Sequence, residues 1–225
     1  MIRLNAQDCA WIFDVFMDYE SAASNVRGRL INTEKNADIL KEVPHREFLD
    51  LSLIYVVELK WDEQNAVSSI RISNDHMNYW GVTEEELYRQ VKRNMNEMEE
   101  SSICSLAEIV MGMADDIPEE ILSSVCSEYM PMYVLTNKNG VNGAVEILNE
   151  ELLKKFSAMF EKDLIVIPSS IHECMLVPAS EEIVDCGCIA QMVREINDTM
   201  VAENEVLSYH VYKYERQTGT MTIAA

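Results

Sequence analysis

The sequence is short of chain breakers, of positive charge and of long apolar runs. Glycine occurs 7 times and proline 5 times in 225 residues, too rarely for a collagen-like, linker-like or low-complexity chain. Lysine and arginine number 18 against 39 aspartates and glutamates, a net charge of −21. That balance repels nucleic-acid phosphates and anionic membrane surfaces, so neither is expected as a partner. No stretch approaches the roughly 20 consecutive apolar residues that span a bilayer. The opening MIRLNAQDCA lacks the apolar core of a secretory signal, so the expected location is cytoplasmic. What is present is ordinary globular usage, 48% hydrophobic and 25% charged, which is enough to build a sizeable core.

Six cysteines occur, Cys9, Cys104, Cys126, Cys174, Cys186 and Cys188. A chain of this size needs no disulfide staples, so reduced thiols are expected. Cys186-Gly187-Cys188 is the one close pair, and no CxxC or HxxxH partner completes a zinc quartet. No metal and no cofactor is expected. The 14 methionines read as fillers of an irregular core.

Periodicity gives the expected element order. Trp11, Ile12, Val15, Phe16, Tyr19, Ala22, Ala23, Val26 and Leu30 recur at three- and four-residue steps, predicting a helix over 11–30. Asn32–Pro44 is polar with a short helical turn. Phe48–Leu59 is apolar on both faces and reads as a central strand, forming a hairpin with Ala66–Ser73. Thr83 and Glu86 form a capping box at the start of a helix lined by Leu87, Val91, Met95 and Met98. Helices are expected over Ser101–Cys126. Met132–Asn137 and Ala144–Leu148 predict a second hairpin around two Asn-Gly turns. Asn149 caps a helix carrying Leu152, Leu153, Phe156 and Phe160.

Leu164–Ile167 and Glu173–Val177 predict a third hairpin around Pro168–His172. A helix over Ser180–Asp198 presents Ile189, Met192, Val193 and Ile196, and Leu207–Glu215 with Thr220–Ala224 closes the chain as a hairpin. The expected fold class is α+β, an antiparallel sheet built from β-hairpins with helices packed on it, with Phe48–Glu99 and Met132–Phe160 as a candidate ββα pseudo-repeat. The expected organisation is an N-terminal helical segment over 1–45 and a hairpin-rich domain over 46–225, with 101–131 as the place where two subdomains would meet.

Several stretches carry a resemblance. MYVLTNKNGVNGAVEIL (Met132–Leu148), DLIVIPSSIHECMLVP (Asp163–Pro178), MVREINDT (Met192–Thr199) and EVLSYHVYKYERQTG (Glu205–Gly219) occur in order, preceded by VPHREFLDLSLIYVVEL (Val43–Leu59) and WGVTEEELYRQVKRNM (Trp80–Met95). Together they resemble an uncharacterised bacterial family, frequent in gut clostridia and classed as a domain of unknown function. The resemblance implies a bacterial source and a shared fold, and it brings no activity, cofactor or site residue. Its members are usually longer ahead of the first helix. They also carry an acidic residue just before the late histidine, where this chain has Tyr209.

Two places hold chemistry-bearing residues. Pro168-Ser169-Ser170-Ile171-His172-Glu173-Cys174 combines hydroxyls, an imidazole, a carboxylate and a thiol. A nucleophilic site needs a base within hydrogen-bond reach of the nucleophile and a group that orients the base. The plainer explanation is a hairpin turn whose serines bond the backbone. His210 reads as a mid-strand histidine beside Ser208, Tyr212 and Tyr214. His45 and His76 read as isolated loop residues. Asn139–Gly143 lacks the Lys-Ser/Thr ending of a phosphate loop. The candidate ligand-binding residues are therefore Ser169, Ser170, His172, Glu173 and His210. The expected function is a binding or interaction module for an unidentified protein or small molecule. The alternative is a hydrolase or transferase using the 168–174 turn with His210.

Overall fold

A computed structural model describes residues 17–61, 66–97, 101–112, 131–168, 170–179 and 186–225. Helices combine with two antiparallel-type sheets, an α+β fold. The chain divides into two compact units. The first holds residues up to Arg29, then Thr33–Phe48 and Ser52–Glu99. The second holds Leu30–Asn32, Leu49–Leu51 and Glu100–Ala225.

The first unit is organised by a short helix α1 (Tyr19–Ala23), strand β1 (Val26–Asn32), helical turn α2 (Ala37–Leu40), β2 (His45–Phe48), β3 (Leu51–Trp61), β4 (Ala66–Arg71), and helices α3 (Asn74–Trp80) and α4 (Glu84–Glu97). β3 is the central strand, with β1 and β2 as neighbours and β4 paired antiparallel from Val56 opposite Arg71 onward. Its run from Leu51 to Val57 is buried without a break, as a strand covered on both faces requires. α4 begins at the Thr83–Glu86 capping box: Thr83 N donates to Glu86 Oε2 at 2.8 Å, and Glu86 N donates back to Thr83 Oγ1 at 3.3 Å. It buries Leu87, Val91 and Asn94.

The expected helix over 11–30 is corrected in its second half, where residues 26–32 form β1. Val26 and Leu30 are four apart, a spacing that satisfies a helical period and a strand period alike. The buried–half-buried alternation at Val26, Arg27, Gly28, Arg29 and Leu30 is that of a strand. Asn94 settles the changeover, since its Nδ2 donates to Ala23 O and Val26 O at 2.8 Å each. Residues 11–16 of that expectation lie outside the described residues.

The second unit is built on a six-stranded sheet of β5 (Ser101–Ser105), β6 (Tyr133–Asn137), β7 (Leu164–Ile167), β8 (Cys174–Pro178), β9 (Tyr212–Glu215) and β10 (Thr220–Ile223). The order is β10-β9-β7-β8-β6-β5 and every pairing is antiparallel. Helices α5 (Leu106–Gly112), α6 (Glu150–Phe160) and α7 (Cys186–Met200) complete it. The registers Tyr133↔Leu176, Val166↔Leu176 and Val166↔Tyr212 place these four residues on one face. There Tyr133 packs on Phe156 and Phe160 of α6, ring centroids 5.0 and 5.4 Å away. On the opposite face Ile165 and Val177 join Ala190 and Val193 of α7 and Val211 in a buried cluster. β7 is central, as its two-faced apolar run predicts.

Four further expectations are corrected here. Ser101–Ser105 is a strand that pairs with β6, where a helix was expected. Gly143–Leu148 is a 3-10 helix and no hairpin strand, because both edges of β6 are already filled by β5 and β8. Met132–Phe160 therefore lacks the second strand of a ββα repeat. The buried face of α7 runs through Ala190, Val193 and Asn197, while Met192 and Ile196 are exposed. The expected strand over 207–215 is extended only from Tyr212. Ahead of it, side chains take the backbone groups a ladder would use: Asn32 Nδ2 donates to Leu207 O and Asn197 Nδ2 to Ser208 O, both at 3.0 Å.

Candidate functional site

Residues 207–211 form a bend in the second unit, and the bend gathers polar groups around one carboxylate. Asp50 sits on the two-residue link between β2 and β3. Its neighbour Leu49 has φ 56°, a left-handed conformation that a bulky residue adopts only when its surroundings hold it there. Asp50 Oδ2 accepts from Ser208 Oγ at 2.7 Å and from His210 Nδ1 at 3.1 Å. Its Oδ1 accepts from the Tyr212 hydroxyl. Burial pushes the Asp50 carboxyl up, but the hydrogen bonds from Ser208, Tyr212 and His210 together outweigh it. Asp50 therefore titrates below the ordinary aspartate value. Burial first, then the bond to Asp50, pushes the Tyr212 phenol far above its ordinary value.

An ionised carboxylate only accepts, so the proton between Asp50 and His210 resides on Nδ1. In the neutral imidazole Nε2 is then the lone-pair atom. The His210 side chain is 43% exposed. Ser208 is fully buried and fully used: its Oγ also accepts from His210 N at 2.9 Å, and its N donates to Pro168 O at 3.0 Å. It braces the bend and does not serve as a nucleophile for His210.

The 168–174 turn lies beside this segment. Ile171 N donates to Glu205 O at 2.9 Å, and Ser170 bridges Val206. Ser170 is buried, and its Oγ accepts from His172 N at 3.1 Å. His172 Nδ1 accepts from Asn142 N at 3.2 Å, so its Nε2 carries the proton and faces Glu205 Oε1 at 3.5 Å. Burial, then the charge of Glu173, pushes the Cys174 thiol well above its ordinary value, which makes it a poor nucleophile. Glu173 is half-buried. The two histidines thus take different partners. Ser169 lies outside the described residues.

Sequence reasoning missed Asp50, which is 160 positions from His210. The signal that could have found it is an acidic residue on a tight link between two apolar strands, although such links are commonly acidic for local reasons. The Tyr209 hydroxyl donates to Asp198 at 3.1 Å. His45 and His76 are corrected from isolated to partnered: His45 Nδ1 lies 3.0 Å from Val43 O, and His76 Nδ1 accepts from Ser73 N at 3.1 Å as part of the α3 cap. Among the described residues no group of three His, Cys, Asp or Glu is placed to hold a metal. No described helix is long and apolar enough to cross a membrane. A solvent-open hollow of about 560 Å³ lies between Met17–Glu20 and Tyr79–Trp80 in the first unit, lined by none of the sequence candidates.

Residues 1–216 match the model of a family of unknown function, DUF5688. The chain belongs to the DUF5688 family. No curated protein and no solved structure matches it. The family's description carries no activity, so any role for the Asp50–His210 pair in this DUF5688 chain rests on its own geometry.

Proposed function

We propose that this protein is a binding module that recognises a small molecule or a protein segment through His210, oriented by Asp50, with His172 and Glu173 of the neighbouring turn as further contacts. The observation that carries the reading is the fixed imidazole: Asp50 holds Nδ1 at 3.1 Å on a side chain that is 43% exposed. A hydrogen-bond donor on the ligand meets the Nε2 lone pair when the ring is neutral, and an anionic group meets it when the ring is protonated. Ser170, Ser208 and Cys174 are spent on backbone partners or buried, which favours recognition over covalent chemistry. The reading includes a bacterial cytoplasm, supported by the absence of a disulfide at Cys104, Cys174 and Cys186 among the described residues.

The carboxylate–imidazole pair also favours a second reading, a hydrolase or transferase in which His210 acts as general base. The two are separated by incubating the parent protein and His210→Ala with a metabolite mixture, reading both thermal shift and mass change. Stabilisation lost in His210→Ala with every metabolite unchanged is expected of the binding module. Time-dependent conversion that His210→Ala abolishes would establish the enzyme reading in its place.

A further inference from the structure

The hollow in the first unit differs in composition from the rest of the chain. Aromatic residues make up 8% of the sequence, yet Tyr19, Tyr79 and Trp80 supply half of its lining. The other half is Met17, Asp18 and Glu20, so carboxylates share the wall and no basic residue does. Two contacts join the start of α1 to the end of α3 across it. The Tyr19 and Trp80 rings lie 5.7 Å apart at 48°, and the Tyr79 hydroxyl donates to Met17 Sδ at 3.7 Å. His76, one turn before Trp80, stacks on the indole at 6.1 Å. These contacts hold the rings without closing the hollow, since Tyr79 is 61% and Met17 47% exposed.

Taken together, the lining favours positive charge. Aromatic faces carry the negative end of the ring quadrupole, and a thioether is polarisable. The Ser21 hydroxyl and N–H hold the Asp18 carboxyl below its ordinary value, so it is ionised at neutral pH. Glu20 is exposed beside it. The last turn of α3 carries no basic residue, so its carbonyl end adds to the negative potential. A metal ion would have to exchange hydration water for rings that offer it no oxygen ligand. An alkylated ammonium carries its charge beneath methyl groups and suits ring, thioether and carboxylate at once. We propose that this hollow is a binding site for a free small organic cation, a quaternary or alkylated ammonium compound. Its volume of about 560 Å³ suits a small molecule, and the net charge of −21 draws cations towards the protein. The site is independent of the His210 reading and would stand if that reading failed.

Choline and tetramethylammonium are the probes, titrated calorimetrically into the full chain. The control is the neutral carbon analogue of choline, in which a tert-butyl group replaces the trimethylammonium and keeps its shape. Both cations should bind with a Kd of about 1 mM or tighter, and the neutral analogue about tenfold more weakly. Tyr79→Ala alters an exposed ring and should weaken choline about fivefold, whereas Tyr79→Phe keeps the ring and should bind like the parent. Glu20→Gln should weaken choline about twofold, a difference that added sodium chloride narrows. Trp80→Ala should weaken it at least as much as Tyr79→Ala, and if Trp80→Ala fails to fold, Tyr79→Ala decides the matter. No heat with either cation, equal affinity for the neutral analogue, or parent-like binding by a folded Tyr79→Ala would overturn the site. So would a Tyr79→Phe as weak as Tyr79→Ala, since the hydroxyl and not the ring would then be the contact.

Discussion

Replacing Asp50 by Asn changes one oxygen to an amide nitrogen and removes the charge, with almost no change in shape. Three donors converge on Asp50: Ser208 Oγ, His210 Nδ1 and the Tyr212 hydroxyl. A carboxamide keeps one accepting oxygen and turns an NH2 towards groups that also donate. Tyr212 and Ser208 are fully buried, so water does not repair what is lost. One stranded buried hydroxyl plus the weakening of a charge-assisted bond amounts to about 2–3 kcal/mol at neutral pH. The pH dependence carries the sharper test. The folded-state pKa of Asp50 lies below its ordinary value of 3.8, so its stabilisation is complete above that value. It is lost as pH falls through the lower, folded-state pKa. Urea denaturation of parent and Asp50→Asn, followed by far-UV circular dichroism from pH 7 to pH 2.5, should show the gap widest near neutrality and closing below about pH 4. A gap that stays constant across that range, or no gap at pH 7, would refute the ionised hub.

Gly143→Ala should destabilise by roughly 2–4 kcal/mol in the same denaturation assay, because an added Cβ would lie 2.2 Å from Thr136 Oγ1, 2.5 Å from Asn137 N and 2.8 Å from His172 O. Asn94→Ala should cost about 2 kcal/mol by removing both donors that join α1 to β1; a neutral result would show that these carbonyls find other partners. In native protein at pH 8, iodoacetamide should label exposed Cys104 and Cys188 and spare buried Cys174, read by peptide mass spectrometry. Nitrogen-15 NMR of His210 in alkaline buffer should report the Nδ1–H tautomer, and Asp50→Asn should shift that balance.

Strands and helices whose signals are local were legible in the residues. Thr83 and Glu86 specify a cap whatever lies around them, and the unbroken apolar run of Leu164–Ile167 identifies a strand covered on both faces. The family membership was likewise legible, in motifs spread along the chain. Tertiary structure decided the rest, wherever two periods or two partners competed. Val26 and Leu30 suit a helix and a strand equally, and the Asn94 side chain, 68 positions from Val26, resolves the choice. Ala144–Leu148 reads as a strand, yet β6 has no free edge to offer it. His210 reads as part of a strand, but Asn32 and Asn197 take the neighbouring carbonyls and bend the chain. The same bend brings Asp50 onto His210 across 160 positions of sequence. Periodicity records which face of an element is buried. It does not record which distant donor meets which acceptor, because that pairing depends on the position of every element between them.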